Sequence, residues 1–381
     1  MIKTILKTIF PRTIRKDIFL IYNKIKNKTW DKLFFPEKFI NNTSFQTKEQ
    51  TNPFLENKVP VAKYSQKIQS KLQIWLNSGW TQDQYLLHYK QAAYIEPRCG
   101  WAITANHCLI YPSLGFSKAS YVRKPSFLES YFYRKNIVHL PKVISLRDTG
   151  EENYFHFYND VLTKLFFIED QGFKLNDFSI IVTERLFKKE FFQYFFKNTF
   201  LKDLMWHIQD DEWILFDEAI FCKPYTHSKK YLDKVVSLVR PPSSGTESRR
   251  IFLTRHKRSL RFVGNLDEIK PVLENYKFEI IDTAHMKVYE QIKLFSECKY
   301  LISIHGAGLT NMIFRNQNPL AIIEIVHPFD YIPFHYIMLA HQFGYDYDIL
   351  LGTEDALQFQ GGFRVDPAEL QEMIEAMIKG D

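Results

Sequence analysis

The sequence predicts an α/β protein, and three observations carry the prediction. Apolar β-type runs alternate with segments of helical periodicity from residue 179 onward. A strand, a glycine-rich turn, a helix and another strand succeed one another between residues 297 and 327. The segment Pro241-Pro242-Ser-Ser-Gly245 interrupts the alternation once, as a domain boundary would. A chain of 381 residues is too long for one ordinary core and suits two globular halves.

Composition excludes several classes. Hydrophobic residues make up 45% and charged residues 24%, ordinary values for a folded chain. The 34 Phe and 21 Tyr are read as core filling and given no functional weight. The four cysteines, Cys99, Cys108, Cys222 and Cys298, include no C-x-x-C pair, so neither a zinc site nor a disulfide framework is indicated and a reducing location is the simplest match. Between Met1 and Lys32, nine Lys or Arg stand against two Asp, which is the whole of the formal net charge of +7. No nucleic-acid recognition module accompanies these cations, so nucleic acid is not an expected partner.

Taken in order, Ile2, Ile5, Leu6, Ile9 and Phe10 fall at helical spacing among lysines. This basic amphipathic arm suits an anionic membrane surface, or docking on the chain's own core. It has neither the length of a membrane span nor the cleavage site of a signal peptide. Residues 41–60 read as a polar linker, in which Asn42-Thr-Ser is a chance glycosylation triplet. A helix is expected over Ser65–Ser78 and short strands near Ala102–Ile110 and Asn136–Ile144. Further on come a strand at Ser179–Val182, a helix at Glu190–Thr199 and strands within Trp213–Phe221. Past the break, the chain reads β-α-β-α-β-α-β, a parallel sheet of Rossmann type. Asp366-Pro367 then starts a last helix to Ile378 in the favoured order of cap and first-turn proline.

Two stretches carry chemistry. In Glu151-Glu-Asn-Tyr-Phe-His-Phe-Tyr-Asn-Asp160, His156 and Asp160 share one helical face, and Asn153 lies a turn earlier. An imidazole beside a carboxylate is one way to build a general base. In the second stretch, strand Tyr300–Ile304 ends at His305-Gly306-Ala307-Gly308, and a helix beginning with Leu309, Thr310 and Asn311 points its free N–H groups into the crevice. The two glycines permit a close approach by another surface. Arg255, with Arg258, follows a strand and can bind phosphate oxygens; His285 lies on a further loop, and Glu324 interrupts the apolar run Leu320–Val326. In such a sheet these groups all lie at or near strand carboxyl ends, where ligands bind. Cations, helix N–H groups and one acid that can reach a ribose hydroxyl suit a nucleoside diphosphate.

His305-Gly-Ala-Gly-Leu-Thr-Asn311, within Arg250–His327, resembles the signature turn of glycosyltransferase family 61, and Asn153-Tyr-Phe-His156-Phe-Tyr-Asn-Asp160 resembles that family's Asn-x-x-His-x-x-x-Asp segment. The resemblance implies a GT-B fold: two facing Rossmann-like domains with a cleft between them. With the arm and linker read over 1–59 and the break at Pro241, it implies an acceptor-binding half over 60–240 and a nucleotide-sugar half over 241–355. The tail helix of 356–381 crosses back to the first half in many such chains. It also implies inverting transfer to a glycan or lipid-linked acceptor. Eukaryotic relatives carry an anchor or signal; without one, the expectation is a bacterial enzyme of capsule or lipopolysaccharide assembly at the cytoplasmic membrane face.

No cofactor is expected beyond the nucleotide sugar, and no metal, because Arg255, Arg258 and the N–H groups after Gly308 can stabilise the leaving phosphates. Asp160 is slightly favoured as the base, with His156 orienting it or touching the donor; Asn153 and Tyr154 belong to the acceptor side. Asp346-Tyr-Asp348 matches an Asp-x-Asp metal triplet and is read as coincidence. A Rossmann oxidoreductase is disfavoured because Asn311 stands where Gly-x-Gly-x-x-Gly needs its last glycine. The alternative function is a non-catalytic scaffold of the same fold that binds nucleotide or glycan.

Overall fold

The computed structural model describes residues 45–47, 58–77, 84–114, 136–239, 248–256, 261–316, 318–328, 330–355 and 362–379. The basic arm, most of the linker and of the proline-rich break, and Arg258 lie outside the described residues. Among the described residues no helix is long and apolar enough to cross a membrane.

The chain is a mixed α/β protein. Six strands form one sheet: β1 (Phe45–Thr47), β2 (Tyr85–Tyr89), β3 (Lys142–Ser145), β4 (Ser179–Thr183), β5 (Trp206–Gln209) and β6 (Glu218–Lys223), in the order β1-β2-β6-β3-β4-β5. The four strands β6, β3, β4 and β5 are parallel, while β1 and β2 add on antiparallel. A second, smaller sheet joins the short strands Leu109–Ile110, Ala102–Thr104, Ala93–Ile95, Trp213–Phe216 and Ile137–His139.

Downstream of the break stand β7 (Arg249–Leu253), β8 (Glu279–Ile281), β9 (Cys298–Ile304), β10 (Ala321–Val326) and β11 (Asp346–Leu351). They pair in the order β8-β7-β9-β10-β11, all parallel. Helices on both faces explain why β9 and β10 are apolar almost throughout rather than alternating. The order reverses between β7 and β9, and that reversal opens a crevice beyond their carboxyl ends.

One apolar core runs unbroken through both halves of the chain, from Leu165, Phe192 and Ile220 to Leu301, Met312 and Ile337. Phenylalanines fill much of it, among them Phe157, Phe192 and Phe195, in edge-to-face or tilted contact. The last helix, Pro367–Lys379, packs beside the parallel sheet of the second half. Its Leu370, Ile374 and Met377 pack with Ile269 and Leu273 of the helix Leu266–Asn275 and with Ile323 and Ile325 of β10, and Tyr276 donates to Glu375 at 2.6 Å. Those three apolar residues form a single stripe, and the nearest apolar surface after residue 362 is that of its own sheet.

A contact between the halves is made by the helix Gln66–Asn77, which lies between β1 and β2. Trp75 donates its indole N–H to the carbonyl of Ile332 at 2.6 Å and meets Phe334 edge-on at 4.8 Å. Just ahead of it, Tyr64 donates to the carbonyl of Tyr347 at 3.3 Å.

Candidate functional site

At the switch point the glycine turn meets Arg255. Gly306 has φ +157° and ψ 179°, a backbone region open essentially to glycine alone. A Cβ at this position would overlap a guanidinium nitrogen of Arg255. The surface that the glycine admits is therefore an arginine of the chain itself, laid across the turn. Burial, together with the neighbouring Arg261, pulls the Arg255 pKa down from its ordinary range, but a guanidinium stays charged. Leu253, Thr254, Arg255, Asp282, Thr283 and Gly308 line a cleft of about 350 Å³ here. A 3-10 helix, Ala307–Arg315, leaves this turn, so its first N–H groups face the same crevice.

Two residues expected at the ligand lie behind it. Glu324 is wholly buried; Nδ1 of His305 donates to its Oε1 at 2.6 Å and the Tyr347 hydroxyl donates to its Oε2. With no exposed surface, Glu324 holds His305 and is out of reach of a ribose. Asn311 is likewise buried and fully used. Its Oδ1 accepts from the Tyr154 hydroxyl at 2.7 Å, and its Nδ2 donates to Gln291 Oε1 and the Gly308 carbonyl, each at 3.1 Å.

The Tyr154–Asn311 bond brings the two sequence motifs together. Asn153 caps the helix by accepting from the Phe155 N–H at 2.9 Å. Tyr154–His156 starts as α-helix, Phe157–Leu162 is π-helix, and Thr163–Asp170 returns to α. A π turn bonds i to i+5, so residues four apart stand almost one above the other. His156 Nδ1 accordingly donates to Asp160 Oδ2 at 2.6 Å. Gly150, with φ +86°, lets the loop lie against the ring; a Cβ there would sit 2.9 Å from His156 Cδ2. Ahead of the helix, buried Lys164 donates to Asp148 at 2.8 Å and buried Arg147 donates to Glu151 at 3.2 Å, fixing this loop.

Within the dyad, exposure separates the partners. The His156 side chain is 34% exposed and that of Asp160 13%. Burial pulls the His156 pKa down, but the hydrogen bond and charge of Asp160 outweigh it and raise it above the ordinary histidine value. Burial pushes Asp160 up, but the His156 hydrogen bond and charge prevail and lower it to about 2. Asn159 donates to the second carboxylate oxygen at 2.9 Å, so Asp160 too has both oxygens bound.

Two histidines that the sequence reading did not single out complete the surroundings. The His227 backbone N–H donates to Asn159 Oδ1 at 2.7 Å, and its Nε2 lies 3.1 Å from Nδ1 of His335. Burial lowers the His227 pKa well below its ordinary value and that of His335 to about 4, so this pair is neutral at pH 7. Each is an isolated histidine in a loop or at a helix start, with no spacing to mark it.

Of the remaining candidates, Leu309 and Thr310 are buried and Ala307 is half-buried at the start of the 3-10 helix, while His285 is exposed outside the cleft lining. Asp346 and Asp348 point away from the face of β11 that carries Tyr347, and Asp346 pairs with Lys63 at 3.5 Å. Among the described residues no group of three His, Cys, Asp or Glu assembles as a metal site would require.

Residues 154–323 match the family model described as glycosyltransferase 61. Over those residues the chain is similar to glycosyltransferase family 61. The matched span contains the His156–Asp160 dyad, Arg255 and the glycine turn, and it ends one residue short of Glu324. A domain of this family is that of a glycosyltransferase, which takes a sugar from a donor and gives it to an acceptor. No curated protein matches the chain.

The clasp that unites the domain's two motifs gives a direct prediction. Tyr154→Phe strips the buried Asn311 of a donor and should destabilise the protein by about 1–3 kcal/mol. Chemical denaturation measures it; an unchanged midpoint and slope would show the bond to be dispensable.

Proposed function

We propose that this chain is an inverting, metal-independent glycosyltransferase. It moves a sugar from a nucleoside-diphosphate donor to a hydroxyl of a glycan or lipid-linked acceptor. The two sheets act as the facing halves of a GT-B enzyme, donor on the second and acceptor on the first. The supporting observation is the Tyr154–Asn311 bond, which joins the helix bearing His156 to the 3-10 helix that leaves the turn on which Arg255 lies.

In the proposed mechanism, His156 is the base. It is the more exposed member of its dyad, whereas each oxygen of Asp160 already accepts a hydrogen bond, so the slight preference for Asp160 gives way to His156. Neutral His156 takes the acceptor proton on Nε2 while Asp160 fixes the ring and stabilises the imidazolium. The acceptor oxygen attacks the anomeric carbon from the face opposite the diphosphate, inverting the centre. Arg255 and the N–H groups of the turn receive the charge that builds on the leaving phosphates.

The reading extends to bacterial surface polysaccharide assembly at the inner face of the plasma membrane, with residues 1–32 on anionic lipid. A screen of nucleotide sugars, read by thermal stabilisation and by release of the nucleotide, tests the core of it. Stabilisation with release is expected, unaffected by chelator; stabilisation without release under any acceptor would favour the scaffold. Arg255→Ala should weaken nucleotide affinity by roughly ten- to hundredfold, as loss of a charge-assisted hydrogen bond does. Calorimetry giving the parent affinity would remove Arg255 from the phosphate site.

A further inference from the structure

We infer that His305 is the proton donor to the departing phosphate, held in place by Glu324 and Tyr347. The inference rests on the nucleotide-sugar reading above and assigns a role to a buried group that this reading left unused. Glu324 sits inside β10 with no exposed surface, where a carboxylate is costly unless bound on both oxygens. The Tyr347 hydroxyl and His305 Nδ1 bind them. Strand register makes this possible: Glu324 lies opposite Ser303 of β9 and Ile349 of β11, so His305, just past the end of β9, and Tyr347 reach it from opposite sides.

A carboxylate only accepts, so Nδ1 is the donor and Nε2 is the nitrogen that this bond leaves over. The ring lies edge-on to Tyr336, centroids 5.3 Å apart, and directly precedes Gly306, against which Arg255 lies. The histidine and the arginine therefore flank one turn. The other titratable or charged groups around the ring are Glu324 and Tyr347 on the sheet, His335 and Tyr336 on the helix His335–Phe343, and Arg255 and Arg261 from the segment after β7.

In the step proposed, the bond between the anomeric carbon and the β-phosphate oxygen breaks, and its electron pair stays on that oxygen. Nε2–H hydrogen-bonds to this oxygen and passes its proton over, leaving neutral imidazole on His305. The acceptor's proton goes to His156, so one proton is gained there for each lost from His305, and exchange with water restores both. Glu324 and Tyr347 touch no substrate and are positioning residues.

The test is calorimetric affinity of the full chain for UDP and for GDP from pH 5.5 to 8.5. Wild type should bind one of them more weakly as pH rises, by roughly tenfold across the series, because an ionic hydrogen bond is lost. His305→Gln should bind roughly tenfold more weakly at the acid end and lose the pH dependence. Glu324→Gln should move the midpoint of that dependence to lower pH. Tyr347→Phe, which removes one donor from the carboxylate and serves if the glutamine variant does not fold, should also move it. A purely structural role would leave the midpoint in place. His305→Gln retaining the wild-type affinity and pH profile overturns the inference while leaving the nucleotide reading intact. Failure of wild type to bind either diphosphate overturns both.

Discussion

Replacing His156 by Gln should lower kcat by about 10²–10⁴-fold, the usual contribution of a positioned general base, while leaving nucleotide affinity within about twofold. The loss should fall on kcat because the proton is taken only as the acceptor attacks. The pH profile sharpens the assignment. A histidine acts as base only when neutral, so turnover should rise with pH through the His156 pKa, which Asp160 raises above the ordinary value. Asp160→Asn removes the raising partner; the ring then loses its proton at lower pH, and the acid limb should shift toward acid as the plateau falls. An acid limb unmoved in the Asn variant, or full turnover in His156→Gln, would sink the role of the dyad.

The second large effect is expected at Gly306. Its backbone lies in a region where a side chain costs on the order of 1–3 kcal/mol, and a Cβ would displace the Arg255 guanidinium. Gly306→Ala should therefore lower stability by about that amount and, like Arg255→Ala, weaken nucleotide affinity by roughly ten- to hundredfold. Gly344→Ala is the control. It also sits at positive φ, 72°, but has nothing within 4 Å of a built Cβ, so it should cost stability alone. Wild-type nucleotide affinity in Gly306→Ala would mean that Arg255 does not depend on the turn.

The two motifs illustrate how far residue patterns reach. The four-residue spacing of His156 and Asp160 was enough to pair them, because helical geometry is local. Which of the two faces the cleft depends on Asn159 binding the second carboxylate oxygen and on a π turn, which has no sequence signature. The glycines of the turn are legible as a close approach, but not what approaches: at Gly306 it is Arg255, fifty-one residues earlier in the chain. Glu324 reads as a ligand contact because a carboxylate in an apolar run needs a reason, and Asn311 because it lies in the first turn of a helix facing the crevice. The reasons are His305, Tyr347 and Tyr154, all supplied by other elements.

The sequence by itself determined the alternating strands and helices of the second half, the parallel sheet they form and the two motifs, since periodicity, turn glycines and caps act over a few residues. Tertiary structure decided the strand order that opens the crevice at β7 and β9, and the contact that the helix Gln66–Asn77 makes between the halves. It also decided which polar side chains are spent on one another, because buried hydrogen bonds are chosen by whatever packing brings within 3 Å, at any distance along the chain.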